Sequence, residues 1–569
     1  MLALFLPMLK TTARDFDFEK HEASYWAQQA GWMAPLAVFV LTVVVTVMSF
    51  PPFKMPPFAY MFAAPLVYWA LTRPSFKKFA LVMFAAQMVA WTIILSWLHH
   101  VTLAGLFLLG PLVGAWIGAW YLALWWTARR IHEKPLLVRA SAMLGLAGLW
   151  VIIEWTRTWL FGGFPWLPLG ASQWTVTPLL QIASYTGQGG IAFVLVTFNF
   201  GFAAYFHRLF NERHTGLRKR SPEFVIALLI LLAAVMPLLS EMIGQQRSQY
   251  ARVALIQPSI PQSLKWNPEH AATSLNVLGE LTMLSTRMAP ELVIWPEAAL
   301  PIPLKGWPDS ALMQKWVEDL ASKAGRPLLV GALAADDPAR PDHTIFNGAF
   351  VIDPARGGLQ PDSYRKRHPV PFGEFVPLRP LLDWLSKITD APGGDMQPGK
   401  SAAPLLVRTR NTLFAAGMLI CYEDIFPRLA VSNIYAGAEV HVVITNNAWF
   451  GEGGAAYQHA AHSVLRAVET RRPVIRCGNS GWSGWIDEYG KIQGVMTNAA
   501  GSIYHRGAQT FEITRDASWI GRDSFYVRYG DWFVLLSALL AFFGYAMAQF
   551  YKPRDNTPPT YAEPVVTSS

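Results

Sequence analysis

Six long, predominantly apolar stretches, at residues 32–50, 79–98, 101–127, 140–160, 224–243 and 532–551, constrain this chain more than any other feature. Each approaches or exceeds the roughly 20 residues that an α-helix needs to cross a bilayer. Two weaker stretches complete the set: residues 58–71, short unless the flanks contribute, and 191–206, with a glycine-rich start at 187–190. About eight crossings are expected. Composition agrees, since 53% of the 569 residues are hydrophobic, 15% are charged and mean hydropathy is +0.26.

The net charge of +9 does not imply a nucleic-acid partner, because the basic residues fall in short connections and not on one soluble face. Arg73, Lys77 and Lys78 form one cluster, Arg129, Arg130 and Lys134 another, and Arg213, Arg218, Lys219 and Arg220 a third. The alternate connections hold only Lys54 in one case and His99 with His100 in the next. Because Lys and Arg are retained on the cytoplasmic side, both termini should be cytoplasmic. The chain then divides into a cytoplasmic segment (1–29), a transmembrane domain of about seven helices (30–246), an extracytoplasmic domain (247–528), a final crossing (529–551) and a polar cytoplasmic tail (552–569), expected to be disordered. No basic region precedes the short apolar start at 1–9, so no cleaved signal peptide is expected. Within 247–528, short β-branched runs such as 253–256, 292–295 and 440–444 alternate with helical stretches such as 459–472, an α/β pattern.

Cys421 and Cys477 are too few for a disulfide framework, so at least one is expected to be a working thiol. Cys421 closes the apolar run 414–420 and precedes Tyr422, Glu423 and Asp424, which could begin a helix. Taken alone it reads as a buried core cysteine. At a strand-to-helix turn, however, the amides that follow would point at the sulfur, lowering its pKa and offering donors to an oxyanion. Glu297 ends the run 293–297, where Pro296 stops regular continuation, and a carboxylate there can act as general base or be an ordinary solvated turn acid. Lys366 lies in 364–374, too rich in proline and glycine for a helix. It can stabilise a thiolate and an oxyanion, while Arg365 and Arg367 could bind phosphate headgroups.

Cysteine, glutamate and lysine in these settings resemble the nitrilase superfamily, and the flanking residues narrow the resemblance to the bacterial apolipoprotein N-acyltransferases. It covers nearly the whole chain: residues 154–167 look like that family's periplasmic loop, 260–266 like the start of its soluble domain, and the Lys366 loop, Cys421-Tyr422-Glu423 and 447–451 follow in its order. The resemblance implies a polytopic α-helical membrane domain joined to an α-β-β-α sandwich, with Glu297 as base, Lys366 as oxyanion stabiliser and Cys421 as nucleophile. Glu374 and Glu423 match further acidic positions, and Trp266, Tyr422 and Trp449 match aromatic positions near the site. Asn447 stands where the family usually has aspartate, and 475–482 is only loosely like the usual threonine-containing strand. The polar extension before Trp32 looks longer than typical.

The activity so implied is transfer of a fatty acyl group from a phospholipid to the α-amino group of a diacylglyceryl-modified amino-terminal cysteine, the last step of lipoprotein maturation, through a thioester on Cys421. Lys366 and the Tyr422 N–H would meet the oxyanion in both stages. The setting implied is a multi-pass monomer of the bacterial inner membrane with its catalytic domain on the periplasmic side, acting on membrane lipids without cofactor, metal or nucleic acid. His459 and His462 could share a metal, but no third ligand of suitable spacing follows. Cys477, with no strand-end turn after it, reads as a packed thiol. Two other readings use the same sequence: a membrane-tethered amidase or nitrilase in which water resolves the thioester, and a silent scaffold that binds lipoproteins. The intact Glu297, Lys366 and Cys421 argue against the scaffold.

Overall fold

The computed structural model describes residues 22–211, 221–243, 245–336, 345–377, 379, 395–409 and 412–551. The expectations for the first 21 residues, the basic cluster at 213–220 and the tail at 552–569 fall outside them. The apolar stretches form α1 (Glu22–Met48), α2 (Ala64–Leu71), α3 (Phe76–Ile94), α4 (Leu103–Ile131), α5 (Leu136–Thr156), α6 (Gln188–Asn211) and α7 (Pro222–Ile243), with a last helix at Trp532–Phe550. Among the described residues, six of these helices are long and apolar enough to cross a membrane; α7 contributes a shorter apolar stretch, Pro222–Met236.

The weak stretch at 58–71 is a broken passage through the bundle. A 3₁₀ turn, Pro56–Tyr60, precedes α2, whose 8 residues rise only about 12 Å. The break exposes backbone groups that a continuous helix would pair, and Asn199 of α6 satisfies them. Its Oδ1 accepts from Ala63 N at 2.8 Å and its Nδ2 donates to Ala59 O at 2.9 Å. Irregular backbone survives at membrane depth only where protein supplies such partners.

The two ends of the bundle differ. At one end Arg129 and Trp125 donate to Pro74 O, and Arg139 and Arg208 both pair with Glu223. At the other, Gln458 of the soluble domain donates to Pro51 O and Ile94 O and accepts from the indoles of Trp97 and Trp166. The final helix packs on α5 through small residues: a Cβ added to Gly148 would lie 2.4 Å from Ser537 O, and one on Gly544 2.6 Å from Ser141 O. Close backbone approach of this kind drives helix association in lipid. Gly148→Leu is therefore expected to push the two helices apart and destabilise the protein by about 1–3 kcal/mol. Thermal unfolding in detergent measures this, with Gly31→Leu, where nothing lies within 4 Å, as the neutral control.

The soluble domain contains two six-stranded sheets. The first comprises β1 (Arg247–Gln257), β2 (Leu292–Ile294), β3 (Leu328–Ala335), β4 (Ile345–Asp353) and β5 (Gly358–Arg365). The second comprises β6 (Leu405–Arg408), β7 (Leu413–Ile420), β8 (Val440–Thr445), β9 (Val474–Gly478), β10 (Gly484–Ile486) and β11 (Ile492–Val495), while β12 (Gly507–Asp516) returns to the first beside β1. In each sheet three central strands are parallel, β1-β2-β3 and β7-β8-β9, flanked by antiparallel ones. Alternate side chains explain the layering. Leu255, Ile294, Ile420, Val442, Ile444 and Cys477 fill the space between the sheets. The other face of the first sheet, including Ala254, Val293 and Val330, packs on α8 (Ala271–Ser285) and α9 (Ser310–Ala324).

On the outer face of the second sheet, Leu419 and Val443 pack with α10 (Pro427–Tyr435) and α11 (Gly454–Thr470), in one continuous core with the membrane helices. The result is the expected α-β-β-α sandwich, its last helical layer pressed between a sheet and the membrane bundle. Cys477 is a packed thiol whose Sγ lies 3.3 Å from Ile256 O and Ile294 O.

Candidate active site

The candidate residues sit just beyond strand ends, where backbone direction turns. After β7, Cys421 has φ 51°, a left-handed conformation that strains a residue with a side chain, and opens the 3₁₀ turn Cys421–Ile425. Such strain persists where surrounding structure holds it, and it throws the side chain out of the sheet plane. After β2, Glu297 is followed by Ala298 at φ 45°. After β5 comes Lys366, whose main-chain N–H donates to Asn347 O of β4 at 2.9 Å.

These turns bring four charged groups together. Lys366 Nζ lies 2.9 Å from Glu374 Oε1 and 3.4 Å from Glu297 Oε1, all three buried or nearly so. Asn347 Nδ2 donates to Glu297 Oε1 at 2.8 Å and to Glu374 Oε1 at 3.3 Å, fixing the carboxylates relative to each other. Lys265, which the sequence reading passed over, donates from Nζ to Glu297 O at 3.0 Å and is 3% exposed. Burial, opposed in part by Glu297 and Cys421, lowers its pKa to about 8. For Lys366 the balance is reversed: burial favours the neutral amine, but Glu374, Glu297 and Cys421 outweigh it and raise the ammonium pKa above the ordinary lysine range.

Cys421 lies within the electrostatic reach of this cluster. Burial pushes its thiol up to about 12 and Glu297 adds to the rise, while Lys366 and the Thr445 hydroxyl oppose it. The lowered thiol pKa expected from the turn is therefore corrected: at rest the sulfur is protonated, because desolvation outweighs the nearby cation and hydroxyl.

The supporting residues fall into two groups. Glu423 is a tie: its carboxylate accepts from Ile420 N at 2.7 Å, Tyr364 Oη at 2.8 Å, His368 N at 3.1 Å and the Arg367 N–H. It thereby locks the Cys421 turn to the Lys366 loop. Glu374 holds the same loop from within, accepting from Val370 N at 2.8 Å. Tyr422 points toward the membrane bundle and donates from Oη to Gly163 O at 2.9 Å. Gly163 has φ 82°, and a Cβ there would lie 2.6 Å from Thr158 O. Trp266 and Trp449 are half-exposed, and no hydrogen bond joins either to Glu297, Lys366 or Cys421 among the described residues. The headgroup role expected of Arg367 does not fit, because its guanidinium bonds Ser432 Oγ, Asn433 Oδ1 and Leu429 O. Arg365 pairs with Asp336 and stacks on Phe346 at a partly exposed position.

Behind Cys421 lies a second network that spacing did not suggest. Asp424 is fully buried, accepts from Ser463 Oγ at 2.7 Å, lies 2.8 Å from His459 Nε2 and pairs with Arg476 of β9. Burial opposes its ionisation, but His459 and Arg476 hold its carboxyl below the usual range. His459 Nε2 is also 3.1 Å from Cys421 O, and its Nδ1 is 3.1 Å from the Asn447 amide. His462 Nε2 accepts from Leu167 N of the membrane loop at 3.1 Å. The histidines considered as metal ligands thus brace the Cys421 turn and the bundle.

Two family models match the chain: the apolipoprotein N-acyltransferase N-terminal domain over residues 28–201 and the carbon-nitrogen hydrolase over residues 252–504. An apolipoprotein N-acyltransferase from Geobacter metallireducens is 31% identical, covering 87% of this chain and 91% of its own. One from Methylococcus capsulatus is 31% identical over 77% of this chain and 84% of its own. Among solved structures, an amidase from Nesterenkonia sp. aligns with 50% of this chain and 95% of its own at 16% identity and a TM-score of 0.33.

Proposed function

The chain belongs to the apolipoprotein N-acyltransferase family, and from that premise we propose that it acylates lipoproteins in two half-reactions on the Cys421 thiol. In the first, Glu297 removes the Sγ proton and the thiolate attacks the carbonyl carbon of a phospholipid ester. The tetrahedral oxyanion is met by Lys366 Nζ and the Tyr422 N–H. Collapse breaks the ester C–O bond; the leaving lysophospholipid oxygen takes the proton from Glu297, and the acyl group stays on sulfur as a thioester. In the second, the α-amino group of a diacylglyceryl-modified cysteine attacks the thioester, Glu297 accepts the ammonium proton, and an amide forms as the thiolate leaves and is reprotonated.

The buried ion-paired cluster is the observation that carries this reading: Lys366 Nζ lies 2.9 Å from Glu374 Oε1 and 3.4 Å from Glu297 Oε1, at the strand ends that also present Cys421. Burial raises the Cys421 thiol to about 12, so its proton needs a base. A carboxylate bonded to Lys366 and Asn347 supplies that base within the same buried cluster. The ties from Tyr422 to Gly163 and from His462 to Leu167 support a site that draws both substrates from the bilayer. The basic residues at the far end of the bundle support a cytoplasmic position for that end and a periplasmic one for the soluble domain, in the bacterial inner membrane. Trp266, Trp449, Tyr422, Glu374 and Glu423 serve as substrate-facing or supporting residues, and one chain suffices for the whole reaction.

The test uses purified protein in mixed micelles with an acyl-labelled phospholipid and a synthetic diacylglyceryl lipopeptide. Label should appear in amide linkage on the lipopeptide, with lysophospholipid formed in equal amount. Label released only as free fatty acid would replace the transferase with a hydrolase.

A further inference from the structure

Two carboxylates, Glu297 and Glu374, and the Lys366 ammonium leave the reaction centre one negative charge in excess before any thiolate forms. Passing the thiol proton from Cys421 to Glu297 leaves that excess unchanged and moves a negative charge onto the sulfur and then onto the oxyanion. Lys265 is a second buried cation beside the same centre. It is anchored only by Glu297 O at 3.0 Å and by the face of neighbouring Trp266, 5.7 Å from the ring centre, and makes no ion pair among the described residues. Its position follows from local sequence: Pro261 starts the single turn Gln262–Lys265, and that turn points the last side chain inward while Trp266 stays half-exposed.

We propose that Lys265 is a positioning residue of the acyl-transfer centre, holding Glu297 through its main-chain carbonyl and offsetting the negative charge that develops on Cys421 and on the oxyanion. The inference rests on Glu297 and Cys421 acting as base and nucleophile. It explains why a cation is kept where burial works against its charge: the balance becomes neutral at rest and stays neutral when the thiol proton passes to Glu297. The titratable groups facing it are Glu297, on the turn after β2, and Cys421, on the turn after β7, with Lys366 and Glu374 beyond the Glu297 carboxyl. Because its pKa is lowered to about 8, the cation is present at neutral pH and is lost as pH rises through that value.

The test compares full-length wild type, Lys265→Met and Lys265→Gln in detergent. Iodoacetamide alkylation of Cys421 is followed across pH with Cys421→Ala as the blank, alongside kcat and KM for acyl transfer. Lys265→Gln retains a donor for Glu297 O but no charge, so it separates anchoring from electrostatics and guards against simple misfolding. Both variants should alkylate about tenfold more slowly at neutral pH, the shift of about one pKa unit produced by loss of one nearby charge. Loss of turnover should fall on kcat, with KM for either substrate changed less than about threefold. An alkylation profile for Lys265→Gln that superposes on wild type would overturn the proposal, as would a loss confined to KM. Glu297→Gln run in parallel keeps the premise separate: if it alkylates and turns over like wild type, the base assignment fails whatever Lys265 does.

Discussion

Cys421→Ala is expected to abolish acyl transfer, and Cys421→Ser to lower kcat by as much as about 10⁶, the loss typical when the nucleophile of a cooperating set is removed. The serine oxygen is less acidic than the thiol it replaces, and a burial penalty that already raises the sulfur to about 12 would act on it equally. The fold should survive both changes, since the side chain is small and its turn is held by Glu423 and His459. Cys421→Gly should even gain stability. At φ 51° a glycine avoids strain of about 1–2 kcal/mol. Thermal unfolding in detergent should therefore show the inactive glycine variant melting above wild type, with product formation assayed on the same samples. A glycine variant that melts lower would show that the turn is not strained.

Lys366→Met should be damaging twice over. Removing an oxyanion donor costs about 10²–10³ in kcat. Removing the cation between Glu297 and Glu374 also strands two buried carboxylates, and breaking such a pair costs about 3–5 kcal/mol. The folded-state pKa of Lys366 is raised, so its stabilising contribution is complete below the ordinary lysine value of 10.5 and is lost only as pH climbs above it. Wild type and Lys366→Met should thus differ in stability by the full amount at neutral pH and converge only in strong alkali. Constant-pH unfolding in detergent checks this. Equal stability at neutral pH would mean that the carboxylates find other partners.

The residues that end strands were readable because a run of apolar residues stopping at a proline or a polar cluster marks where a chain turns, as it does at Glu297 and Cys421. Lys366 was readable from a loop that proline and glycine forbid from being helical. Partners converging from elsewhere in the chain were not readable. Asn347, Lys265 and Arg476 lie on separate elements, and only the packing of the two sheets brings them to the site. α11 read only as a helical stretch around His459 and His462. It is buried from Gln458 to Thr470 because the membrane bundle covers the side that would otherwise face water. Arg367 of the Lys366 loop was given to headgroups for the converse reason: charge is visible in a sequence, whereas the acceptors that consume it are not. The weak apolar stretch at 58–71 was ambiguous because a broken passage depends on one distant side chain, Asn199.

The most direct measurement withholds the acceptor. Purified protein is incubated with phospholipid alone, and the peptide containing Cys421 is weighed by mass spectrometry before and after a diacylglyceryl lipopeptide is added. The account predicts one fatty acyl group on that peptide, labile to hydroxylamine as a thioester must be, and its disappearance as the acylated lipopeptide forms. Product appearing while Cys421 never carries acyl, or acyl that stays on the sulfur when the acceptor arrives, would contradict it.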